Sequence, residues 1–296
     1  MKCLPALAAL VFSRPLLAAD VGFGVALDAT AAATRTDGVN DTVVGVREIE
    51  GDVQIGLEEL LVRADLQVDM TQDGDTLSVR PGVEQLLVAW EGVGLRAGGG
   101  VMMAPWRVES VDRWENALVN PWVGTARLTP TQLMGGVARY GTDANHVQAL
   151  AGFDTHGILG AGRLPDTDAP VLGVNARVGL GKKTGSNRVV AGAWWTPGTD
   201  RLGGVQVGAR ADVLAAAVQG EFVGLSDGVV GGQLQAELMP ALPFAPVVRG
   251  SWVDGTPGAS VGARFKIPFV VAKAEASWEP GRYAGWVELA GSFSTL

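Results

Sequence analysis

The sequence contains very little cysteine and histidine. It has one cysteine, Cys3, and 2 histidines among 296 residues. An internal disulfide needs two cysteines, and a structural zinc site needs several cysteine or histidine ligands. Disulfide-stabilised folds and thiolate metal sites are therefore excluded, and no ligand cluster in the sequence supports a metal site of another kind.

Long apolar runs are also missing. Hydrophobic residues make up 47% of the chain and the mean hydropathy is +0.22. No run approaches the roughly 18 apolar residues that a membrane-spanning helix requires. A chain of this composition must place its apolar residues in one large core or on many short strands that face lipid.

Positive charge is in deficit. The formal net charge is −8, and it becomes −10 if Lys2 and Arg14 are removed with an N-terminal segment. Nucleic-acid binding depends on lysine and arginine contacts to phosphates. The charge balance therefore argues against a nucleic-acid partner.

The N-terminus is typical of a secretory signal peptide. Lys2 supplies a positive start, the segment from Leu4 to Phe12 is apolar, and Ala18-Ala19 gives a small-residue cleavage site before Asp20. We predict a signal peptide over residues 1–19 and a mature chain over 20–296. The mature chain would contain no cysteine, which excludes a cysteine nucleophile. A disordered or core-packing N-terminus is the alternative.

The segment LLVRADLQVDM, from Leu60 to Met70, alternates strictly between apolar and polar residues. One face carries Leu60, Val62, Ala64, Leu66 and Val68, and the other carries Arg63, Asp65, Gln67 and Asp69. Period 2 predicts a β-strand with one apolar and one charged face. In a soluble sheet the apolar face is a core, whereas in an outer-membrane barrel it faces lipid and the charged face lines the lumen.

The same alternation recurs from Val171 to the C-terminus. Turn sequences such as KKTGSN, TPGTD, SDG, DGTPG and EPG separate the alternating segments. The pattern predicts antiparallel hairpins with one strand about every 13 to 16 residues. No helical period of 3.6 residues competes with it, so a βαβ enzyme scaffold is not indicated.

Strand length and tryptophan position favour a membrane barrel over a Greek-key sandwich. The strands run about 10 residues, which is the length of a tilted transmembrane strand. Trp195, Trp252 and Trp278 each stand at a strand end, where an aromatic girdle would lie at the outer rim. In a sandwich they would be core residues. We predict an all-β, antiparallel transmembrane β-barrel of about 16 strands, in a range of 14 to 18, with short turns and one longer outer loop.

The region from residue 45 to 121 resembles a known family. The segments REIEGDVQIGLEELLVRADL and VEQLLVAWEGVGLRAGGGVMMAPWRVESVDRWENALVNP are similar in order to the β-barrel porins of bacterial outer membranes that are related to phosphate- and carbohydrate-selective porins. The matching elements are an Arg-containing loop at Arg47, an acidic residue before an apolar strand at Glu59-Leu60, a Gly-rich strand from Gly94 to Met103, and a Pro-containing segment with Pro105, Glu109, Asp112, Trp114 and Asn116. The resemblance implies an outer-membrane pore, leaves a homo-oligomer open and supplies no solute.

Residues 104 to 121 form the longest irregular segment, which the hairpin count places at the outer side. We hypothesise that it folds inward and that its charges line a constriction, with Arg107, Glu109, Asp112, Arg113 and Glu115 as candidates. An exposed loop or a subunit-contact segment is the alternative.

The candidate lumen lining comes from the polar face of the strands. The predicted pore-lining residues are Arg63, Asp65, Gln67, Asp69, Arg177, Arg210, Glu237, Arg264, Lys266, Lys273 and Glu275. Between residues 170 and 278 bases outnumber acids at these positions, so an anion preference is one hypothesis. The other is that these charges neutralise one another across neighbouring strands.

Enzyme chemistry has weak support. Asp154 and His156 share a strand face, which is half of a hydrolase site, but no serine stands in a recognisable nucleophile elbow. We therefore predict a bacterial outer-membrane porin for passive diffusion of small hydrophilic solutes or ions, with lipid as its surroundings and no cofactor. The alternatives are a non-conducting structural or adhesion barrel and a secreted, soluble β-sandwich that binds a partner.

Overall fold

The computed structural model describes residues 20–73, 76–103, 118, 128–130, 132–142, 144–154, 170–179, 187–197 and 203–294. The first eight strands are β1 (Asp20–Thr36), β2 (Val39–Leu57), β3 (Leu60–Asp73), β4 (Thr76–Gly92), β5 (Leu95–Met103), β6 (Gln132–Gly141), β7 (Asn145–Asp154) and β8 (Pro170–Gly179). The next eight are β9 (Arg188–Trp195), β10 (Gly203–Val213), β11 (Ala216–Leu225), β12 (Val230–Leu238), β13 (Phe244–Val253), β14 (Thr256–Ile267), β15 (Val270–Glu279) and β16 (Arg282–Ser294).

The sixteen strands form one closed antiparallel barrel. Each strand pairs with its neighbours in sequence, and β1 also pairs with β16, where Ala29 lies opposite Leu289. Closure leaves no strand edge unpaired, which is the condition for a sheet in lipid. The predicted fold class and strand number are confirmed. The β-sandwich alternative is wrong, because a sandwich consists of two separate packed sheets.

Tight turns join most neighbouring strands. Asp37-Gly38 and Asp254-Gly255 both have positive φ at each residue, as a type I′ hairpin requires. The twist of this turn matches that of the flanking strands. Asp-Gly pairs between alternating segments therefore fix the register of these two hairpins.

The connections divide between two rims. We call the rim where odd-numbered strands end the loop rim, because the longest connection, residues 104–131 between β5 and β6, leaves from it. The other rim is the turn rim, with connections such as 58–59, 93–94 and 214–215. A second long connection, residues 155–169 between β7 and β8, also belongs to the loop rim, so the sequence prediction of one longer loop missed it.

The first four strands are longer than the rest. They contain 17, 19, 14 and 17 residues, whereas β6 to β15 contain 8 to 12. A β-bulge interrupts the pairing of β1 with β2, where Asp28 lies opposite Glu48 and Ala29 opposite Val46. Arg47 is the extra residue of this bulge. The resemblance implied a loop at Arg47, and the structure instead has it inside β2.

Among the described residues, no helix is long and apolar enough to span a bilayer.

Candidate pore lining

The two faces of β3 differ in solvent exposure. Leu66 is 54% exposed, whereas Asp65 is 0% and Gln67 3% exposed. In a closed barrel the side chains of one parity point outward and those of the other point into the interior. The charged face of β3 therefore lies inside the barrel, and the apolar face lies on its outer surface.

Most of the predicted lining residues share this inner position. The residues on the inner parity are Arg63, Asp65, Gln67, Arg177, Arg210, Glu237, Arg264, Lys266, Lys273 and Glu275. Lys266 stands beside the 268–269 turn and is exposed at the turn rim. The side chain of Asp69 lies outside the described residues.

Buried ion pairs connect β13, β15 and β16. Lys273 Nζ lies 2.5 Å from Glu288 Oε1, and both side chains are 0% exposed. Arg249 Nη2 donates to Glu275 Oε1 at 2.9 Å, reaching across β14, and to Ser260 Oγ at 3.3 Å. A contact that spans an intervening strand is favoured on the concave side of a curved sheet. These contacts therefore agree with an inner position for the charges.

Glu237 of β12 contacts two arginines, each of which lies two strands away in the barrel. It forms an ion pair with Arg264 of β14 and lies 3.7 Å from Arg210 Nη2 of β10. Arg264 also donates to the carbonyl of Pro240 at 3.2 Å. The cations of this wall are thus held by carboxylates and backbone, as the second of the two charge hypotheses expects.

Two glutamines hydrogen-bond to one glutamate on strands β10 to β12, next to this wall. Gln206 Nε2 donates to Glu221 Oε1 at 2.5 Å, and Gln233 Nε2 donates to Glu221 Oε2 at 2.9 Å. All three side chains are buried. Gln206 and Gln233 were not predicted as lining residues, although their parity in β10 and β12 is visible in the sequence.

The wall formed by β2 and β3 differs in charge. Glu50, Asp52 and Asp65 bring one carboxylate oxygen each to within 4.8 Å of one another. Asp52 lies directly opposite Asp65 in the register, and Glu50 lies opposite Gln67. Arg63 Nε donates to Asp65 Oδ1 at 3.1 Å. Only Asp65 of this acidic group was predicted as a site residue.

An apolar patch also lies inside the barrel, near the loop rim. Its buried members are Met102, Leu128, Leu133, Leu150, Val171, Trp194, Val223 and Leu225. Seven of these belong to strands β5 to β9 and β11, and Leu128 comes from the end of the 104–131 connection. The sequence predicted a polar interior. Alternation alone did not indicate that the inward-facing side chains of these strands are apolar.

Leu118 reaches the opposite wall. It is 1% exposed and packs with Val247 of β13. Gly262 of β14 makes room for it, because a Cβ there would lie 2.7 Å from Leu118 Cδ2. Strands β5 and β13 are eight positions apart in the ring of sixteen. The connection that leaves β5 therefore places Leu118 across the interior. The candidate constriction residues Arg107, Glu109, Asp112, Arg113 and Glu115 lie outside the described residues.

Aromatic side chains lie on the outer surface near both rims. Trp195, Trp252 and Trp278 are exposed near the loop rim, with Phe153 and Tyr283 close to the same level. Sequence reasoning missed a second set near the turn rim, made up of Phe23, Trp90, Tyr140, Phe244, Phe265, Phe269 and Phe293. Phe269 and Phe293 have ring centroids 6.5 Å apart, and Trp90 Nε1 donates to Glu59 at 2.7 Å.

The histidine positions add no described catalytic geometry. His146 Nδ1 lies 3.1 Å from the carbonyl oxygen of Thr142 in the turn before β7. His156 and the side chain of Asp154 lie outside the described residues. Asp154 and His156 therefore stay a prediction from the sequence.

Comparison with solved structures shows the fold. An engineered variant of the porin of Rhodopseudomonas blastica has a TM-score of 0.61 at 11% identity, covering 93% of this chain and 100% of that structure. An anion-selective porin from Comamonas acidovorans has a TM-score of 0.67 at 9% identity, with coverage of 93% and 100%. This chain has the porin fold. OprB of Pseudomonas putida supports the same conclusion for the porin barrel, with a TM-score of 0.64, 10% identity and coverage of 93% and 94%. No family model matches the sequence, and no curated protein matches it.

Proposed function

We propose that this protein is a bacterial outer-membrane porin through which small hydrophilic solutes or ions diffuse passively. The observation that carries the proposal is the closed barrel of sixteen strands with an apolar outer surface and charged, ion-paired inner walls. A barrel of this strand number is wide enough for an aqueous lumen. The fold shared with solved porins supports the same function.

The outer surface supports an outer-membrane location. Exposed valines, leucines and phenylalanines cover it, and aromatic residues stand near both of its rims. An apolar band between two aromatic girdles is how transmembrane barrels meet lipid. Trp195, Trp252 and Trp278 would then form part of the outer girdle. Export by a signal peptide over residues 1–19 predicts that the mature protein begins at Asp20, which N-terminal sequencing measures.

The decisive experiment is planar-bilayer recording of the refolded protein. Discrete conductance steps are expected, because each barrel that inserts into the bilayer adds one water-filled pore. Silence from folded, membrane-inserted protein would favour the alternative of a non-conducting structural or adhesion barrel. Heat-modifiable mobility and protease resistance in vesicles serve to confirm folding and insertion.

The 104–121 segment is proposed to narrow this pore, and Leu118 supports that role. Its contact with Val247 holds part of the connection at the wall opposite β5. Leu118→Asp should release this contact and raise single-channel conductance. Leu242→Asp is the matched control, because Leu242 is an exposed apolar residue of the turn rim. Unchanged conductance after deletion of residues 104–121 would contradict a constriction.

Anion preference is the finer hypothesis. Arg177 and Lys266 support it, since neither forms an ion pair with a described carboxylate. Arg210, Arg249, Arg264 and Lys273 are paired and contribute less to the lumen potential. The reversal potential in a salt gradient measures the balance, and a cation-selective value would contradict the hypothesis.

Assembly into a homo-oligomer is a separate proposal. Two copies would contact each other through their outer surfaces. The long strands β1 and β2 offer a tall outer wall for this contact, with small exposed residues such as Ala31 and Ala33. Chemical cross-linking in vesicles at several protein-to-lipid ratios tests this. A single band at monomer mass at every ratio would argue against an oligomer.

A further inference from the structure

The acidic group on the inner wall of β2 and β3 has the geometry of a ligand cluster. One carboxylate oxygen from each of Glu50, Asp52 and Asp65 lies within 4.8 Å of the other two. Oxygen ligands around Ca²⁺ lie 2.3–2.6 Å from the ion, so two opposite ligands stand about 5 Å apart. The spread of the three oxygens fits within one such coordination sphere.

A second and independent feature is the amide of Gln67. Its side chain is 3% exposed, and its Oε1 receives no hydrogen bond from the part of the chain that the structure describes. Gln67 lies directly opposite Glu50 and two residues beyond Asp65 on the same inner face of β3. A buried amide oxygen without a donor costs free energy, so such an oxygen usually marks a missing partner.

Asp52 repeats this feature within the cluster. Its Oδ1 is buried and has no hydrogen-bond donor within the described residues. Arg63 pairs with Asp65 instead: Arg63 Nε lies 3.1 Å from Asp65 Oδ1 and 3.0 Å from Asp65 Oδ2. Two oxygen acceptors on adjacent strands, one charged and one neutral, thus point to the same kind of missing positive partner.

We propose that Glu50, Asp52, Asp65 and Gln67 bind a divalent, oxygen-preferring cation of the Ca²⁺ class on the inner wall of the barrel. Carboxylate and amide oxygens are the side-chain ligands that Ca²⁺ takes, and water completes its coordination. The ion would satisfy the oxygens of Asp52 and Gln67 and offset the repulsion between Asp52 and Asp65. The site depends on the register of β2 with β3 and not on whether the barrel conducts.

The test is calorimetric titration of Ca²⁺ into the refolded, chelator-treated protein in detergent. The wild type should show saturable binding at one site. Asp52→Asn should weaken the affinity about tenfold or more, because it removes a negative charge from the ligands. Gln67→Leu should weaken it severalfold, because it removes an oxygen ligand. Gln235→Leu is the matched control. Gln235 is similarly buried, and its Oε1 has no hydrogen-bond donor among the described residues. It lies opposite Gln219 and Arg249, away from the acidic group.

Three results would overturn the proposal. The first is no saturable heat from folded wild-type protein at Ca²⁺ concentrations up to about 10 mM, which exceeds the range of weak extracellular sites. The second is an equal loss of affinity in Gln67→Leu and Gln235→Leu. The third is undiminished binding in both Asp52→Asn and Glu50→Gln. If one acidic variant does not fold, the other and Gln67→Leu still decide. Calorimetry reads binding in a silent barrel as well, so failure here is distinct from failure of the pore.

Discussion

Two inner walls of the same barrel solve the burial of charge in opposite ways. On the paired wall, strands β12 to β16, three cations each contact a carboxylate: Lys273 with Glu288, Arg249 with Glu275, and Arg264 with Glu237. On the acidic wall, strands β2 and β3, three carboxylates approach one another and the ion pair described there joins Arg63 to Asp65. Buried charges need opposite partners, and the three cations of the paired wall have them. On the acidic wall, Asp52 Oδ1 has no hydrogen-bond donor among the described residues.

The two walls should therefore contribute differently to the electric field in the lumen. Adjacent opposite charges cancel at a distance, so the paired wall contributes little beyond its own surface. A group of like charges does not cancel, and low-dielectric walls focus its field. The number of lysines and arginines along the strands therefore does not give the charge that faces the lumen, since Arg264 and Lys273 are each paired with a carboxylate.

The largest expected effect comes from breaking the buried pair Lys273–Glu288. Lys273→Met should lower the free energy of unfolding by about 3–5 kcal/mol, because Glu288 would remain as a buried charge without its partner. Urea unfolding in lipid vesicles measures it. Lys266→Met is the control, since Lys266 is exposed at the turn rim and should change stability by less than about 0.5 kcal/mol.

The double variant Lys273→Met with Glu288→Leu sharpens this result. Removing both charges should recover most of the lost stability, as replacement of a buried pair by apolar groups is often neutral. A double variant as unstable as Lys273→Met alone would mean that packing around Lys273, and not the uncompensated charge, carries the effect.

The acidic wall should respond with the opposite sign. In metal-free buffer, Asp52→Asn should raise the free energy of unfolding by about 0.5 kcal/mol, because it removes a like charge directly opposite Asp65. The same urea measurement applies, with Asp212→Asn as a control at an exposed acid of β10. Destabilisation by Asp52→Asn without metal would contradict repulsion between the two carboxylates.

Strands and their number could be predicted from the sequence because they depend on local patterns. The alternation from Leu60 to Met70 became β3, Leu60–Asp73, and Asp254-Gly255 fixed a hairpin by its turn chemistry. The partners of the inner charges could not be predicted in this way. Arg249 meets Glu275 across an intervening strand, which depends on the register of three strands at once.

The apolar patch and Leu118 show the same limit. Period 2 gives the two faces of a strand but not the content of the inner one, so Met102 and Leu133 could not be assigned to an apolar interior. Leu118 lies in an irregular segment, and its contact with Val247 joins positions far apart in the chain. Such contacts follow from the closed ring, which no local pattern encodes.

The smallest expected effect concerns selectivity and compares the two walls directly. Asp52→Asn removes one negative charge from the acidic wall and should shift the permeability ratio toward anions by about twofold, which corresponds to about 0.4 kcal/mol. The double variant Arg249→Met with Glu275→Leu removes two charges from the paired wall and leaves its net charge unchanged. Its reversal potential should equal that of the wild type, because an adjacent ion pair has almost no field at the centre of the lumen. A shift in the double variant as large as that in Asp52→Asn would mean that individual charges, paired or not, set selectivity.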